Sequence, residues 1–202
     1  MVLTSNLSIY PRVTKAKAIV SEVSRETCPV KVRLMYETHS TTLDNERGIA
    51  TGWLPGELSE AGLREAVELG ARRREVDVVF SSDLRRAVQT VEAAGLTVPH
   101  FQDWRLRECN YGSLNGAPRS ALEPRAERVS TPFPGGQSYW DVMELTRSFL
   151  EDVKRWYDGQ VVLVVAHSAN RWSLDHLLGS HSSLEDLVAR PFDWRPGWEY
   201  EL

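Results

Sequence analysis

The chain has 202 residues, of which 42% are hydrophobic and 26% are charged, and its formal net charge at pH 7 is -4. These values are typical of an ordinary globular domain, and the longest apolar run, Val161 to Ala166, is too short to cross a bilayer. No block of Lys and Arg indicates a nucleic-acid or lipid surface, so we expect neither nucleic acid nor a membrane as partner. The two cysteines, Cys28 and Cys109, suggest neither a disulfide framework nor a metal motif. A reducing, cytoplasmic location is therefore the expectation.

The first 29 residues mix Ser, Thr, Lys and Val without a clear period. They contain no continuous apolar segment of the kind found in a signal peptide. We expect residues 1–29 to form a loosely held extension and residues 30–202 to form the folded domain.

The first strong pattern is an apolar run that begins at Arg33 and gives way to polar residues around His39. This pattern predicts a buried strand that ends at the open edge of an α/β sheet, where ligands usually bind. A histidine that only caps a strand is the alternative. Ser59 then predicts a helix start, residues 76–80 a short strand, and residues 81–90 a second helix. Arg86 lies in the first turn of that helix, where it would help to hold an anion; a solvated arginine is equally consistent with the pattern.

The segment from Asp103 to Gly116 alternates like a strand up to Glu108 and then breaks into turns. A carboxyl group in a partly apolar pocket can donate a proton at neutral pH, although a carboxylate at a strand end is more often simply solvated. Residues 116–134 are predicted to form a lid or a loop with at most one short helix. The segment carries arginines at positions 119, 125 and 128, which indicate either an acidic ligand or a mixed solvated surface. A helix follows the PGGQS turn. The closing run from Trp198 predicts an edge strand or a contact with a second subunit, so a homodimer is possible.

The most apolar strand, residues 161–165, ends at His167. Parallel strands present their carboxyl ends on one edge of a sheet, which would bring His39 and His167 together. Two imidazoles, Arg86 and the Glu108 carboxyl group suit phosphoryl transfer: one imidazole attacks phosphorus, the cation holds the charged oxygens, and the acid protonates the leaving group. This chemistry requires no metal or other cofactor. A metal site with two histidines and one carboxylate is the competing interpretation.

Four blocks occur in one order along the chain: THSTTLDNERGIATGW, SSDLRRAVQT, RLRECNYGSLNG and VVAHSANR, with PGGQS before the fourth. In this respect the chain resembles the histidine phosphatase superfamily, also called phosphoglycerate mutase-like, from about Val32 to the C-terminus. The resemblance implies a three-layer αβα sandwich with a mostly parallel central sheet. It also implies a phosphohistidine on His39, protonation of the leaving group by Glu108, and a small phosphate ester as the substrate. The remaining site residues that it implies are Asn45, Thr51, Arg86 and His167.

The first block departs from the family pattern RHGE, because Thr38 replaces its arginine and Ser40 its glycine. Loss of one preorganised donor typically costs about 3 kcal/mol of transition-state stabilisation. We expect Arg171 or Arg47 to supply the missing cation, and the hydroxyl groups of Thr38 and Ser40 to donate hydrogen bonds to phosphate. Glu37 either neutralises a neighbouring arginine or contacts the substrate.

Within the family, the short span between Glu108 and PGGQS favours a phosphatase over a mutase, as does Ile49 at a position where mutases keep an arginine. The prediction is a metal-independent phosphomonoester hydrolase that acts on a small phosphorylated metabolite. A phosphoglycerate-type mutase is one alternative. A degraded member that binds a phosphorylated ligand without turnover is another.

Overall fold

We describe the fold from a computed structural model, which covers residues 31–179, 182–191 and 193–202. The predicted extension, residues 1–29, lies outside these described residues. None of the helices in the described ranges is both long enough and apolar enough to cross a membrane.

Strands and helices alternate along most of the chain. The strands are β1 (Arg33–Thr38), β2 (Ile49–Ala50), β3 (Val78–Ser81), β4 (His100–Gln102), β5 (Ala117–Pro118), β6 (Val161–Ala166) and β7 (Trp198–Glu201). The α-helices are α1 (Leu43–Glu46), α2 (Glu60–Arg72), α3 (Arg85–Ala94), α4 (Tyr139–Trp156), α5 (Ser168–Leu174) and α6 (Leu184–Ala189). Short 3-10 turns span Trp104–Leu106, Gly112–Leu114, Arg119–Leu122 and Arg125–Arg128, and a π-helical turn spans Asp175–Gly179.

The main sheet has the strand order β4-β3-β6-β1-β7. All of its neighbouring pairs are parallel except β1 with β7, which is antiparallel. Thr38 at the end of β1 is in register with Ala166 at the end of β6, and the His39 amide donates to the Ala166 carbonyl at 2.9 Å. The two histidines therefore leave adjacent parallel strands at the same edge of the sheet.

Helices cover both faces of this sheet. Side chains of a strand alternate between the two faces, so neighbouring residues of β1 belong to different cores. Tyr36 packs in the core that contains Phe149 of α4, whereas Met35 packs in the core that contains Leu69 of α2 and Val91 of α3. The predicted three-layer αβα sandwich with a mostly parallel sheet is confirmed.

The prediction of a strand that leads to Glu108 is wrong, because residues Trp104–Leu106 form a 3-10 turn. The Asp103 carboxylate accepts a hydrogen bond from the Arg105 backbone amide at 2.9 Å and also pairs with the Arg105 guanidinium at 2.7 Å. These local bonds compete successfully with extended pairing. The predicted edge strand near the C-terminus is present as β7, and the homodimer stays a prediction.

Glu37 on β1 is a buried carboxylate, 2% exposed, that does not line the cavity described below. Arg72 and Arg73, at the C-terminal end of α2, contact its two oxygens at 2.9 Å and 2.8 Å. Of the two predicted roles, the structure therefore shows the neutralisation of neighbouring arginines.

Candidate active site

A cavity of about 350 Å³ opens at the edge of the sheet where β1 and β6 end. Its walls come from the loop after β1, the N-terminus of α3, the segment from Glu108 to Arg125, and the start of α5. The lining residues are Thr38, His39, Thr41, Asn45, Ile49, Ala50, Thr51, Gly52, Arg86, Glu108, Tyr111, Arg119, Leu122, Arg125, Ser168, Trp172 and Trp194.

His39 is held in one tautomer by two hydrogen bonds. Its Nδ1 lies 2.8 Å from the Ser40 carbonyl oxygen, which can only accept, so Nδ1 carries the proton. The Arg86 Nε–H group donates to His39 Nε2 at 3.2 Å, which agrees with an unprotonated Nε2. Burial, and secondarily the positive charge of Arg86, lowers the pKa of His39 to about 3. At neutral pH, His39 therefore presents a lone pair on Nε2.

Arg86 is 2% exposed, which rules out the solvated arginine considered from the sequence. Besides the contact with His39, its guanidinium donates to the Gly52 carbonyl at 2.8 Å and to the Leu54 carbonyl at 3.2 Å. These backbone acceptors fix the guanidinium plane. A cation is therefore preorganised against the Nε2 atom of His39 before any ligand binds.

His167 is completely buried, and its ring centroid lies 5.1 Å from that of His39. The Ser82 hydroxyl contacts His167 Nε2 at 2.7 Å, and the Tyr36 hydroxyl donates to the His167 carbonyl. The buried Nδ1 atom has no hydrogen-bond partner within the described ranges. Burial, together with the charge of Arg86, lowers the pKa of His167, so the ring is neutral. His167 does not line the cavity, and its predicted contact with the phosphate stays a prediction.

Glu108 is 7% exposed and lies at the N-terminus of α5. Its carboxyl group accepts hydrogen bonds from the backbone amides of Cys109, Ser168 and Ala169. Burial raises the pKa of this carboxyl group, while these amides and Arg86 oppose the rise. The Trp53 indole N–H group donates to the Glu108 carbonyl at 2.6 Å, which fixes the backbone. A buried carboxyl group with a raised pKa is suited to proton donation.

Asn45 and Thr51 line the same cavity from the loop around α1 and β2. Asn45 is part of a capping box, in which its Oδ1 accepts from the Thr42 amide at 3.1 Å. With Oδ1 engaged, the Nδ2 amide group is the part of Asn45 that remains to donate to a ligand. Thr51 donates to Asp44 at 2.9 Å. Thr38 also lines the cavity, so these three predicted residues are brought together with His39 and Arg86.

Three predicted phosphate contacts do not line the cavity. Ser40 is 5% exposed, and it acts through its backbone: the carbonyl orients His39, and the amide donates to Thr90 Oγ1 at 3.0 Å. Arg47 is exposed at the C-terminal cap of α1. Arg171 pairs with Asp175 at 2.7 Å and lies 5.0 Å from the Trp198 ring centroid, beside a different cavity. The expectation that Arg171 or Arg47 replaces the missing arginine is therefore corrected.

Two features of the cavity were not predicted from the sequence: its aromatic wall, and which of the arginines at positions 119, 125 and 128 line it. Arg119 and Arg125 line the cavity, whereas Arg128 does not. Trp172 and Trp194 line it as well, and the Trp194 side chain remains 54% exposed. The sequence placed Trp172 next to Arg171 but contained no signal that would bring Trp194 from the C-terminal segment to this edge.

The predicted alternative of a metal site finds no support in the geometry. Across the part of the chain that the structure describes, no three His, Cys, Asp or Glu side chains are grouped as metal ligands. The Nε2 atom of His39, which a metal would need, faces the Arg86 guanidinium instead.

Residues 38–188 match the family model described as the histidine phosphatase superfamily, branch 1. The chain therefore belongs to this superfamily, and the resemblance drawn from its sequence motifs is confirmed. Membership makes the chain a relative of phosphoryl-transfer enzymes.

The relatives include both mutases and phosphatases. A 2,3-bisphosphoglycerate-dependent phosphoglycerate mutase from Tropheryma whipplei (strain Twist) is 32% identical over 170 residues, which cover 66% of this chain and 77% of the mutase. The structure of a mycobacterial glucosyl-3-phosphoglycerate phosphatase matches with a TM-score of 0.65 and 28% identity, covering 78% of this chain and 86% of that one. YhfR from Bacillus stearothermophilus matches with a TM-score of 0.72 and 25% identity, covering 82% and 88%.

Proposed function

We propose that the chain is a metal-independent phosphomonoester hydrolase that acts through a phosphohistidine on His39. The observation that carries this proposal is the single tautomer of His39, with Nδ1–H bound to the Ser40 carbonyl and the Nε2 lone pair facing Arg86. A neutral imidazole with a fixed lone pair beside a fixed cation is the arrangement that attack on an anionic phosphate ester requires.

In the first step, the Nε2 lone pair attacks phosphorus, the N–P bond forms and the ester P–O bond breaks. The Arg86 Nε–H group moves from the lone pair to a phosphoryl oxygen. The Nδ1–H group of His39 stays on the Ser40 carbonyl, which stabilises the positive charge on the phosphorylated ring. Glu108 gives its proton to the departing oxygen, so the product leaves as an alcohol.

In the second step, the Glu108 carboxylate takes a proton from water, and the oxygen of that water attacks the phosphohistidine. The N–P bond breaks, inorganic phosphate leaves, and Glu108 is protonated again. The raised pKa of Glu108 serves both steps, because it keeps the acid form populated and makes the carboxylate a better base. His167 does not line the cavity; its buried ring lies against the His39 ring, with the centroids 5.1 Å apart, and helps to hold the nucleophile in place.

A mutase is the second candidate, because the T. whipplei relative bears that name. A mutase must keep its phosphohistidine from water. Ile49, an apolar residue, lines this cavity where the family's mutases have an arginine, and the exposed Trp194 side chain stands among the lining residues. These features support hydrolysis over phosphoryl transfer back to a bound product.

The test is the release of inorganic phosphate from a panel of phosphomonoesters that includes glucosyl-3-phosphoglycerate, 3-phosphoglycerate and sugar phosphates. We expect release by the wild type and loss of release in His39→Gln. His100→Gln serves as the matched control, since His100 pairs with Ser81 and does not line the cavity. An acid-labile phosphoryl label should be trapped on the wild type and be absent from His39→Gln.

Two other outcomes would contradict the proposal. Conversion of 3-phosphoglycerate to 2-phosphoglycerate in the presence of 2,3-bisphosphoglycerate, faster than phosphate release, would identify a mutase. Binding of phosphate esters without release would identify a degraded member, the interpretation that Thr38 motivates.

A further inference from the structure

The site described above is short of one positive charge. Thr38 stands at the end of β1, lines the cavity beside His39, and is uncharged. A phosphate monoester carries about two negative charges at neutral pH, and in the transition state the charge spreads over three equatorial oxygens. Arg86 alone does not balance this charge, so a second cation at the cavity is expected on physical grounds.

A short two-stranded sheet holds the backbone of Arg119 beside the loop around α1 and β2. Strand β5 pairs antiparallel with β2, Ala117 facing Ala50 and Pro118 facing Ile49. Immediately after β5, the Arg119 amide donates to the Gly48 carbonyl at 2.9 Å. The backbone of Arg119 is therefore tied to the loop that carries Asn45 and Thr51 into the cavity.

The guanidinium of Arg119 is available to a ligand. Its side chain is exposed and lines the cavity, and among the described residues no side chain pairs with it. Arg125, which also lines the cavity, is paired with Glu123 at 2.9 Å, and its guanidinium carbon lies 6.0 Å from the Trp172 ring centroid. The charge of Arg119 adds to that of Arg86 in lowering the pKa of His39, which places its field at the nucleophile.

From this geometry we propose that Arg119 is a catalytic residue that supplies, from the lid, the positive charge that the end of β1 lacks at Thr38. It binds an equatorial oxygen of the phosphoryl group opposite Arg86. The proposal rests on the proposed function, in that both place the transferred phosphoryl group on His39. Arg125, paired with Glu123 and beside Trp172, is left to the part of the substrate that departs.

A double-mutant cycle tests the exchange of one arginine for the other. We expect Arg119→Ala to lower kcat/KM for phosphate release by about a hundredfold, the usual loss for one preorganised donor. Thr38→Arg returns a guanidinium to the strand end, so in that background removal of Arg119 should cost no more than about tenfold, less than in the wild type. Arg128→Ala is the matched control, because it removes an arginine of the same lid that does not line the cavity.

Two results would overturn the proposal. One is a loss in Arg119→Ala no larger than that in Arg128→Ala. The other is an equal loss from Arg119→Ala in the wild type and Thr38→Arg backgrounds, which would assign Arg119 a role independent of the missing charge. Melting temperatures of all variants identify any that are unfolded. If Thr38→Arg does not fold, chemical rescue takes its place. Added methylguanidinium should then restore activity to Arg119→Ala but not to Arg86→Ala, and failure of that rescue counts against the proposal.

The binding of inorganic phosphate separates this proposal from the proposed function. Phosphate affinity, measured by calorimetry, should fall by about tenfold or more in Arg119→Ala and remain unchanged in Arg128→Ala. If the wild type binds phosphate in this Arg119-dependent way but releases none from any ester, hydrolysis fails while the assignment of Arg119 as the replacement cation stands. If hydrolysis depends on His39, but neither hydrolysis nor phosphate binding depends on Arg119, the proposed function stands and the assignment of Arg119 fails.

Discussion

The low pKa of His39 gives a prediction that can be worked out from the structure. Burial and Arg86 lower this pKa from 6.5 to about 3. At about pH 5 a histidine with the ordinary pKa would be only about 3% neutral, whereas His39 should be about 99% neutral, a difference of roughly thirtyfold in the reactive form. The His39 ring should therefore show no titration between about pH 8 and about pH 5.

The same shift has a consequence for stability. As the pH falls below 6.5, His39 gains a proton in the unfolded chain but not in the folded one, so the free energy of unfolding decreases until the pH approaches 3. At about pH 5 the loss amounts to about 2 kcal/mol relative to neutral pH. His39→Gln has no proton to gain, so its free energy of unfolding should decrease by about 2 kcal/mol less between pH 7 and pH 5.

Two measurements check this prediction. The first follows the His39 ring protons by NMR across the pH range, with His39→Gln identifying the signals. The second compares urea denaturation of the wild type and His39→Gln at both pH values. A ring that titrates with a midpoint near its ordinary pKa of 6.5, or an equal pH dependence in both proteins, would show that His39 is not held neutral by burial and Arg86.

Three further changes have expected outcomes. Glu108→Gln should raise the melting temperature at neutral pH, because the raised pKa of Glu108 means that its ionisation destabilises the folded state at pH values above the ordinary pKa of a glutamate. The same substitution should slow phosphate release by about 10²- to 10⁴-fold. A basic limb of the kcat/KM profile that is unchanged in Glu108→Gln would contradict this. Glu37→Gln leaves Arg72 and Arg73 without their buried partner and should cost about 3–5 kcal/mol in urea denaturation, whereas a cost below about 1 kcal/mol would mean that the pair is solvated. Trp194→Ala should raise KM with little change in kcat, because Trp194 lines the cavity and forms no hydrogen bond or ring contact with His39 or Arg86; a selective fall in kcat would place it at the reacting atoms.

The sheet and the central pair of histidines could be predicted from the sequence because their signals are local. Strand β6 is a continuous apolar run, and β1 is apolar from Leu34 to Tyr36. A histidine directly follows each strand, and the handedness of parallel connections brings such ends to one edge. The capping residue Ser59 likewise marks the start of α2 in its own neighbourhood. The path to Glu108 could not be predicted, because the Asp103 side chain, bonded to the Arg105 amide, turns an alternating pattern into a 3-10 turn.

Arg119, the proposed replacement cation, could not be predicted from its distance to the catalytic histidines along the chain. Arg171 follows His167 by four residues, but on α5 its side chain reaches Asp175, one turn farther along, and the ring of Trp198. Arg119 is 80 residues from His39. Its backbone lies beside the loop that carries Asn45 and Thr51 because β2 and β5, two residues each, pair with each other. A pairing this short leaves no periodic pattern in the sequence.

The position of Arg119 also changes how the site is held together. An arginine at the end of β1 would be fixed by the same sheet that fixes His39, so nucleophile and cation would be ordered as one unit. Arg119 instead lies at the start of a 3-10 turn. The pairing of β2 with β5 and one backbone hydrogen bond from Arg119 to Gly48 attach this turn to the loop around α1 and β2. On this proposal, the positive charge at the phosphoryl group depends on the 3-10 turn Arg119–Leu122, which lies outside the main sheet.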